Sequence, residues 1–399
     1  MFERFISFAG LAVFVLIGLA FCDSRQHINW RLAAWGIGLQ FLFAVLILKT
    51  SVGLVVFEGA RIAMTGLLDF TDIGARFLFG NLISDFSIGA ILAFKVLPVI
   101  IFVSSLMGVL FYLGIIQIVV RAMARVMEWT MKASGAEALM SAMFVFMGIE
   151  ATTGVKEYIR KMTRSELFTV MTGFMATIAG SVMAVYVSFG ASAGHLLAAS
   201  VMSAPAAIVI SKLMIPERET QISGVEARSA LKSSDVNIIE AAANGAGDGL
   251  KLAATIGAML LAFISLIGMM NHFLGFAHTS FEEISGYIFT PFAFLMGVPW
   301  EDCMKVGELL GIKVVFNEFI SYQKMQGYIT AGTLSPRSIT IATYALCGFA
   351  NFGSIAILIG GIGSIAPERK KEVARLSLKA LVSGVIASFM TAAIAGILL

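Results

Sequence analysis

Charge is what this chain has least of. Only 13% of its 399 residues are charged and 58% are apolar, whereas soluble globular chains carry about 25% charged residues. That balance excludes a soluble domain and defines an integral membrane protein. The net charge of +3 is small, and no basic run interleaves with aromatics, so a nucleic-acid groove is excluded too. Cysteine is scarce. Cys22, Cys303 and Cys347 lie far apart in or beside apolar stretches, which fits neither a disulfide framework nor a metal site. The four histidines, His27, His195, His272 and His278, stand outside any polar cluster and read as interfacial residues rather than proton carriers. There is no membrane-depth nucleophile with a base and no HExxH helix, so the sequence reads as neither an enzyme nor a cofactor protein.

Long uncharged runs are plentiful. Crossing a hydrocarbon core of about 30 Å takes roughly 20 helical residues. Runs at 96–120, 167–194, 252–271, 339–365 and 380–399 meet that length, and 5–22, 32–48 and 196–211 come close. These predict eight spans. Residues 5–22 lack a basic leader and a small-residue cleavage site, so they read as a retained span. Residues 52–95 set Glu58, Arg61, Asp69, Asp72 and Arg76 among apolar residues, predicting amphipathic helices on the membrane surface. Residues 216–237 read as a solvated loop.

Orientation follows from Lys and Arg. Five groups, at 25–31, 121–132, 156–164, 212–232 and 369–379, hold 18 of the 28 basic residues. All five share one face if residues 136–161 enter the membrane and return without crossing. The positive-inside rule makes that face cytoplasmic, and both termini extracytoplasmic, in a multi-pass protein of the cell (inner) membrane.

Two regions resist assignment as spans. Residues 136–153 carry Glu137 and Glu150 around a short apolar centre. Residues 287–320 carry a short apolar stretch, then Pro299, Glu301, Asp302, Lys305, Glu308, Lys313 and Glu318. Both predict re-entrant hairpins, because broken backbone at membrane depth is tolerated only when buried in protein or lining water. Glu318 stands out. A carboxylate at the bilayer centre costs about 2.5–3.5 kcal/mol on insertion scales, so it faces a cavity or a partner.

The hairpins also head a repeat. Glu150 precedes a span with Gly173-Phe174 and Gly180-Ser181; Glu318 precedes one with Gly348-Phe349 and Gly353-Ser354. Each half is then a hairpin, a glycine-interrupted span and a further span. Because the hairpins enter from opposite faces, the halves form an inverted repeat, which places a transporter site where the broken elements meet.

Several stretches resemble the concentrative nucleoside transporter family, and the likeness covers nearly the whole chain. They are MGVPW (296–300), VGELLGIK (306–313), NEF (317–319), ALCGFANFGSIAIL (345–358), the Ala-Pro-Glu-Arg turn at Ala366, IIEAAANGAGDGLKLA (238–253), KMTRSELF (161–168) and FKVLP (94–98). The resemblance implies a homotrimer in the lipid bilayer, each protomer having a scaffold and a mobile transport domain. It implies nucleoside import by cation-coupled symport through an elevator motion, with H+ or Na+ co-transported and no cofactor. The expected scaffold is 1–120 and 216–275; the expected transport repeats are 121–215, with hairpin 136–161, and 276–399, with hairpin 287–333. The family's ribose contacts fall on Glu318, Asn351 and Ser354, with Phe349 near the base; Asn317 and Glu150 join the substrate set. A ribose with adjacent hydroxyls suits a carboxylate acceptor and a two-way amide, and a flat base suits an aromatic face. Asn351 and Ser354 also fit a simpler role, satisfying backbone freed at Gly353, and Phe349 fits ordinary core.

The first hairpin departs from the family. Where Gly-Gln-Thr-Glu is usual, this chain has Met147-Gly148-Ile149-Glu150. Gly148 and Ile149 replace the side chains that would read the base edge, which predicts altered or loose base selectivity; Thr152 and Thr153 offer replacement hydroxyls. Met143 aligns with a polar residue of the sodium-dependent members, and a thioether is a poor ligand for a hard cation. Thr177 keeps a hydroxyl. The combination favours proton over sodium coupling, with Glu150 and Glu318 as titrating groups, either of which could instead stay ionised against Lys156 or Lys313. The competing reading is a symporter of another small polar metabolite, a nucleobase or sugar-like compound, on the same scaffold.

Overall fold

The structure is a computed structural model that describes residues 1–83, 92–149, 151–152, 156–219, 233 and 235–399. Among them every regular element is a helix. In chain order these are α1 (Phe2–Ala20), α2 (Trp30–Lys49), α3 (Ser51–Phe79), α4 (Leu97–Tyr112), α5 (Ile115–Met131), α6 (Gly135–Met143), α7 (Lys156–Lys161), α8 (Arg164–Ala176), α9 (Gly180–Ser188) and α10 (Ala193–Met214). After the loop come α11 (Ile238–Leu274), α12 (Phe281–Leu295), α13 (Trp300–Val315), α14 (Glu318–Thr330), α15 (Pro336–Leu346), α16 (Phe352–Ile365) and α17 (Lys370–Leu398).

Burial sorts the helices into two sets. The windows in Arg164–Ser188, Ala193–Met214 and Pro367–Leu398 are 94%, 89% and 78% buried, while those in Ser51–Ile83, Ala93–Tyr112 and Ile238–Ala277 are 6%, 22% and 11% buried. The first set is therefore the centre of the molecule and the second presents apolar side chains outward, as lipid-facing helices do. Small residues let the outer pair α4 and α11 approach: a Cβ on Gly245 would lie 2.6 Å from the Ser104 carbonyl oxygen, and one on Gly108 would lie 2.6 Å from that of Ala241.

The central set carries the repeat. In the first half, α6 and α7 form a hairpin, α8 and α9 are two pieces of one interrupted helix, and α10 is continuous. In the second, α13 and α14 form the hairpin, α15 and α16 the interrupted helix and α17 the continuous one. Each continuous helix packs on the other half's interrupted helix, α17 on α8 and α10 on α15. The two interruptions meet. The Phe349 N–H donates to the Thr177 carbonyl at 3.1 Å, and a Cβ on Gly348 would sit 3.0 Å from the carbonyl oxygens of both Met175 and Ala176.

The base of the first hairpin is held by charge. Ser134 with Glu137 and Thr163 with Glu166 form capping boxes that satisfy the first turns of α6 and α8. Lys212, at the end of α10, sits 2.5 Å from Glu137 Oε1 and donates to Ser165 Oγ at 2.9 Å and Glu217 Oε2 at 3.2 Å.

Some expectations need correction. Residues 52–79 belong to one helix, α3, where several were expected, and Ser51–Ile83 is long and apolar enough to cross a membrane. Its charges are partly cancelled by pairing: Arg61 Nε donates to Glu58 at 2.9 Å, and Lys95 lies 3.3 Å from Asp72. The glycine-interrupted spans expected at 167–194 and 339–365 do break, after Ala176 and between Leu346 and Phe352. The second hairpin starts at Trp300, not Tyr287. Tyr287 lies in the separate helix α12, which ends where Gly297 takes φ 83° ahead of Pro299.

Candidate functional site

Glu318 occupies the first turn of α14, where the chain restarts after the hairpin turn. Asn317 caps that helix, its Oδ1 accepting from the Ile320 N–H at 3.0 Å. Asn351 does the same for α16, its Oδ1 accepting from the Ser354 N–H at 2.8 Å. Two helix N-termini thus open on one point, each with its partly positive end. Glu318 and Asn351 are only 3% and 2% exposed, so water does not supply their partners.

They supply each other's. Asn351 Nδ2 donates to Glu318 Oε2 at 3.0 Å, and the Tyr186 hydroxyl of α9 donates to Glu318 Oε1 at 2.8 Å. Asn351 thus fills the simpler role expected of it, its oxygen capping a helix, while its amide N–H faces the carboxylate. Sequence reasoning missed Tyr186. The available signal is the one aromatic hydroxyl in the otherwise small and aliphatic helix GSVMAVYVS.

Glu318 and Asn351 lie on one wall of a small cavity of about 90 Å³. Gly148, Ile149, Asn317, Glu318, Phe349, Asn351 and Ser354 all line it. Phe174 and Phe349, one from each repeat, stand with ring centroids 5.7 Å apart. Ile149 is wedged against α16, where a Cβ on Gly361 would come within 2.4 Å of its Cγ1. The cavity wall is otherwise apolar, with Val182, Leu252, Ile256 and Met259. Such a site offers hydrogen-bond acceptors at one end and apolar and aromatic surface elsewhere.

Glu150 lies outside the described residues, as does Thr153. Thr152 is buried, and its hydroxyl donates to the Ile149 carbonyl at 2.6 Å, within the hairpin turn itself. Met143 and Thr177 are buried away from the Glu318 cavity. Met143 lines a second cavity of about 610 Å³, and the Thr177 hydroxyl donates to the Gly173 carbonyl at 2.8 Å. That second cavity adjoins the first at Gly148 and Leu252 and is lined by Ser181, Asp235, Asn244, Asp248 and Lys251. Lys313 is fully buried, and its ammonium donates to the Ala345 carbonyl at 2.7 Å rather than to Glu318. It thereby meets the negative end of α15, which explains a buried cation without a carboxylate contact.

Acceptors and helix ends gathered at the break points of a repeated membrane bundle are the arrangement of a secondary transporter. Three family models cover the chain: "Na+ dependent nucleoside transporter N-terminus" at 9–82, "Nucleoside recognition" at 93–193 and "Na+ dependent nucleoside transporter C-terminus" at 195–396. Solute carrier family 28 member 3 of Mus musculus is 43% identical over 99% of this chain and 59% of its own length. Sodium/nucleoside cotransporter 1 of Mus musculus is 41% identical, over 99% and 64%. This chain thus spans about three fifths of those relatives. The solved structure of CNTnw in an inward-facing substrate-bound state matches with TM-score 0.93 and 38% identity, covering 99% of this chain and 97% of that one. A CNTnw variant in an outward-facing state also matches at 0.93, with 37% identity, 99% of this chain and 98% of that one. The chain belongs to the concentrative nucleoside transporter family.

Proposed function

We propose that this protein is a cation-coupled importer of nucleosides that binds its substrate between the two hairpins. One observation carries the reading: the Glu318 carboxylate and Asn351 amide converge at the wall of an otherwise apolar cavity with Phe349 on its edge. A carboxylate accepts from adjacent sugar hydroxyls, and an aromatic face suits the base. Ser354, Asn317, Gly148 and Ile149 complete the pocket.

The proposed transport unit is the central repeat, moving against the outer helices α1–α4 and α11 as an elevator. The solved states of CNTnw, inward-facing, intermediate and outward-facing, support such a cycle. The second cavity leads toward the end of α11 that follows the loop at 216–237. With that loop on the cytoplasmic face, this conformation opens inward. Proton coupling is favoured over sodium by Met143, whose thioether is a poor ligand for a hard cation. A homotrimer in the cell membrane completes the proposal.

A second reading, transport of a nucleobase or sugar-like metabolite, draws on the apolar Gly148-Ile149 tip. Competition of labelled uridine uptake by nucleosides, nucleobases and pentoses separates the two. Nucleosides alone should compete; equal competition by a free base or pentose would favour the second.

A further inference from the structure

We propose that Tyr186 is a positioning residue for the substrate: its hydroxyl, reaching across from the other repeat, fixes the Glu318 carboxylate in the orientation in which it accepts from sugar hydroxyls. The inference rests on the proposal that Glu318 takes the ribose. A carboxylate oxygen offers two acceptor positions. Tyr186 fills one on Oε1 at 2.8 Å, and Asn351 fills one on Oε2 at 3.0 Å. Neither bond uses up its oxygen, so the carboxylate keeps acceptor capacity for sugar hydroxyls.

Tyr186 is fully buried behind the cavity wall, so it acts through Glu318 rather than on the substrate. Its ring is clamped on two sides. It stacks on Tyr322 with centroids 4.4 Å apart and planes 19° apart, and meets Phe319 edge-on at 5.1 Å. Tyr322 is itself tied to α15, its hydroxyl donating to the Thr343 carbonyl at 2.9 Å. The donor therefore has little freedom to follow a rotating carboxylate. It holds the carboxylate instead. The residue comes from α9 and the carboxylate from α14, so the contact also ties the two repeats at the site.

Ordinary satisfaction of a buried phenol is the simpler account, and Tyr186→Phe distinguishes the two because it removes one hydroxyl and keeps both ring contacts. Uptake of uridine and of 2′,3′-dideoxyuridine is measured in proteoliposomes for wild type, Tyr186→Phe, Tyr322→Phe and Glu318→Gln. KM is independent of how much folded protein is incorporated, so partial misfolding does not mask the result. Loss of one hydrogen bond to a charged group is expected to raise the uridine KM of Tyr186→Phe about tenfold, with little change for the dideoxy compound. Tyr322→Phe should leave the ratio of the two KM values unchanged. An equal KM rise for both substrates in Tyr186→Phe, or none, overturns the positioning role when Glu318→Gln is selectively impaired on uridine. If Glu318→Gln transports both substrates like wild type, the ribose reading itself fails.

Discussion

Glu318→Gln removes a charge while keeping shape, and its cost is set by the partners the carboxylate holds. Two buried donors converge on it, the Tyr186 hydroxyl at 2.8 Å and Asn351 Nδ2 at 3.0 Å. The two donors meet opposite oxygens, and an amide keeps an oxygen at only one of those places. Asn351 cannot simply turn over, because its oxygen is held by the Ser354 N–H at 2.8 Å. If the new amide oxygen stays with Asn351, its NH2 faces Tyr186, whose hydroxyl hydrogen then loses its acceptor. Leaving one buried polar group unpaired costs about 1–3 kcal/mol, a modest loss for a folded membrane protein. The effect on substrate is larger. Each hydroxyl bonded to the carboxylate is worth about 1.5–3 kcal/mol, and two are weakened together. At 1.4 kcal/mol per tenfold, uridine uptake at low concentration should fall by at least about a hundredfold. The assay is initial-rate uptake of labelled uridine in proteoliposomes, with the folded oligomer checked by size-exclusion chromatography. Uptake at the wild-type rate in a folded variant would refute the reasoning.

Three other perturbations probe the same structure. Changing Gly148-Ile149 to Gln-Thr restores polar side chains at the cavity edge and should sharpen the preference among bases; an unchanged competition profile would place base reading elsewhere. Lys212→Met removes the buried ammonium beside Glu137 and should cost about 3–5 kcal/mol, read as a lower Tm in detergent; an unchanged Tm would contradict the network's role. Burial raises the Glu217 carboxyl, but the Lys212 ammonium, the Glu219 N–H and the Thr163 hydroxyl together bring it below its usual 4.5. Its stabilisation is then complete above about pH 4.5 and lost as pH falls through the lower folded value. The Tm gap between wild type and Glu217→Gln should be constant at neutral pH and close in strong acid; a gap that persists there would refute the assignment.

What the sequence made legible was polarity out of place. Glu318 and Asn351 were visible because lipid-depth helices carry few such residues, and the glycine pairs at 173–181 and 348–354 marked both helix breaks. Partners were not legible. Tyr186 lies 132 positions from Glu318, and nothing local marks the pair. Lys313, a candidate counter-ion for Glu318, makes its hydrogen bond to the carbonyl end of α15. The continuity of α3 was not legible because its charges were counted singly, whereas Glu58 and Arg61 bond to each other along the helix. The hairpin boundary at Trp300 depended on a left-handed glycine, Gly297, which a run of apolar residues conceals. Glu150, central to the expected first-hairpin site, lies outside the described residues.

The central claim is nucleoside uptake driven by a cation gradient, and one measurement addresses it directly. Labelled uridine uptake is followed in proteoliposomes while proton and sodium gradients are set independently. The account predicts saturable accumulation that follows the proton gradient and persists without sodium. No saturable accumulation under either gradient would contradict it, and accumulation that follows sodium alone would overturn the role given to Met143.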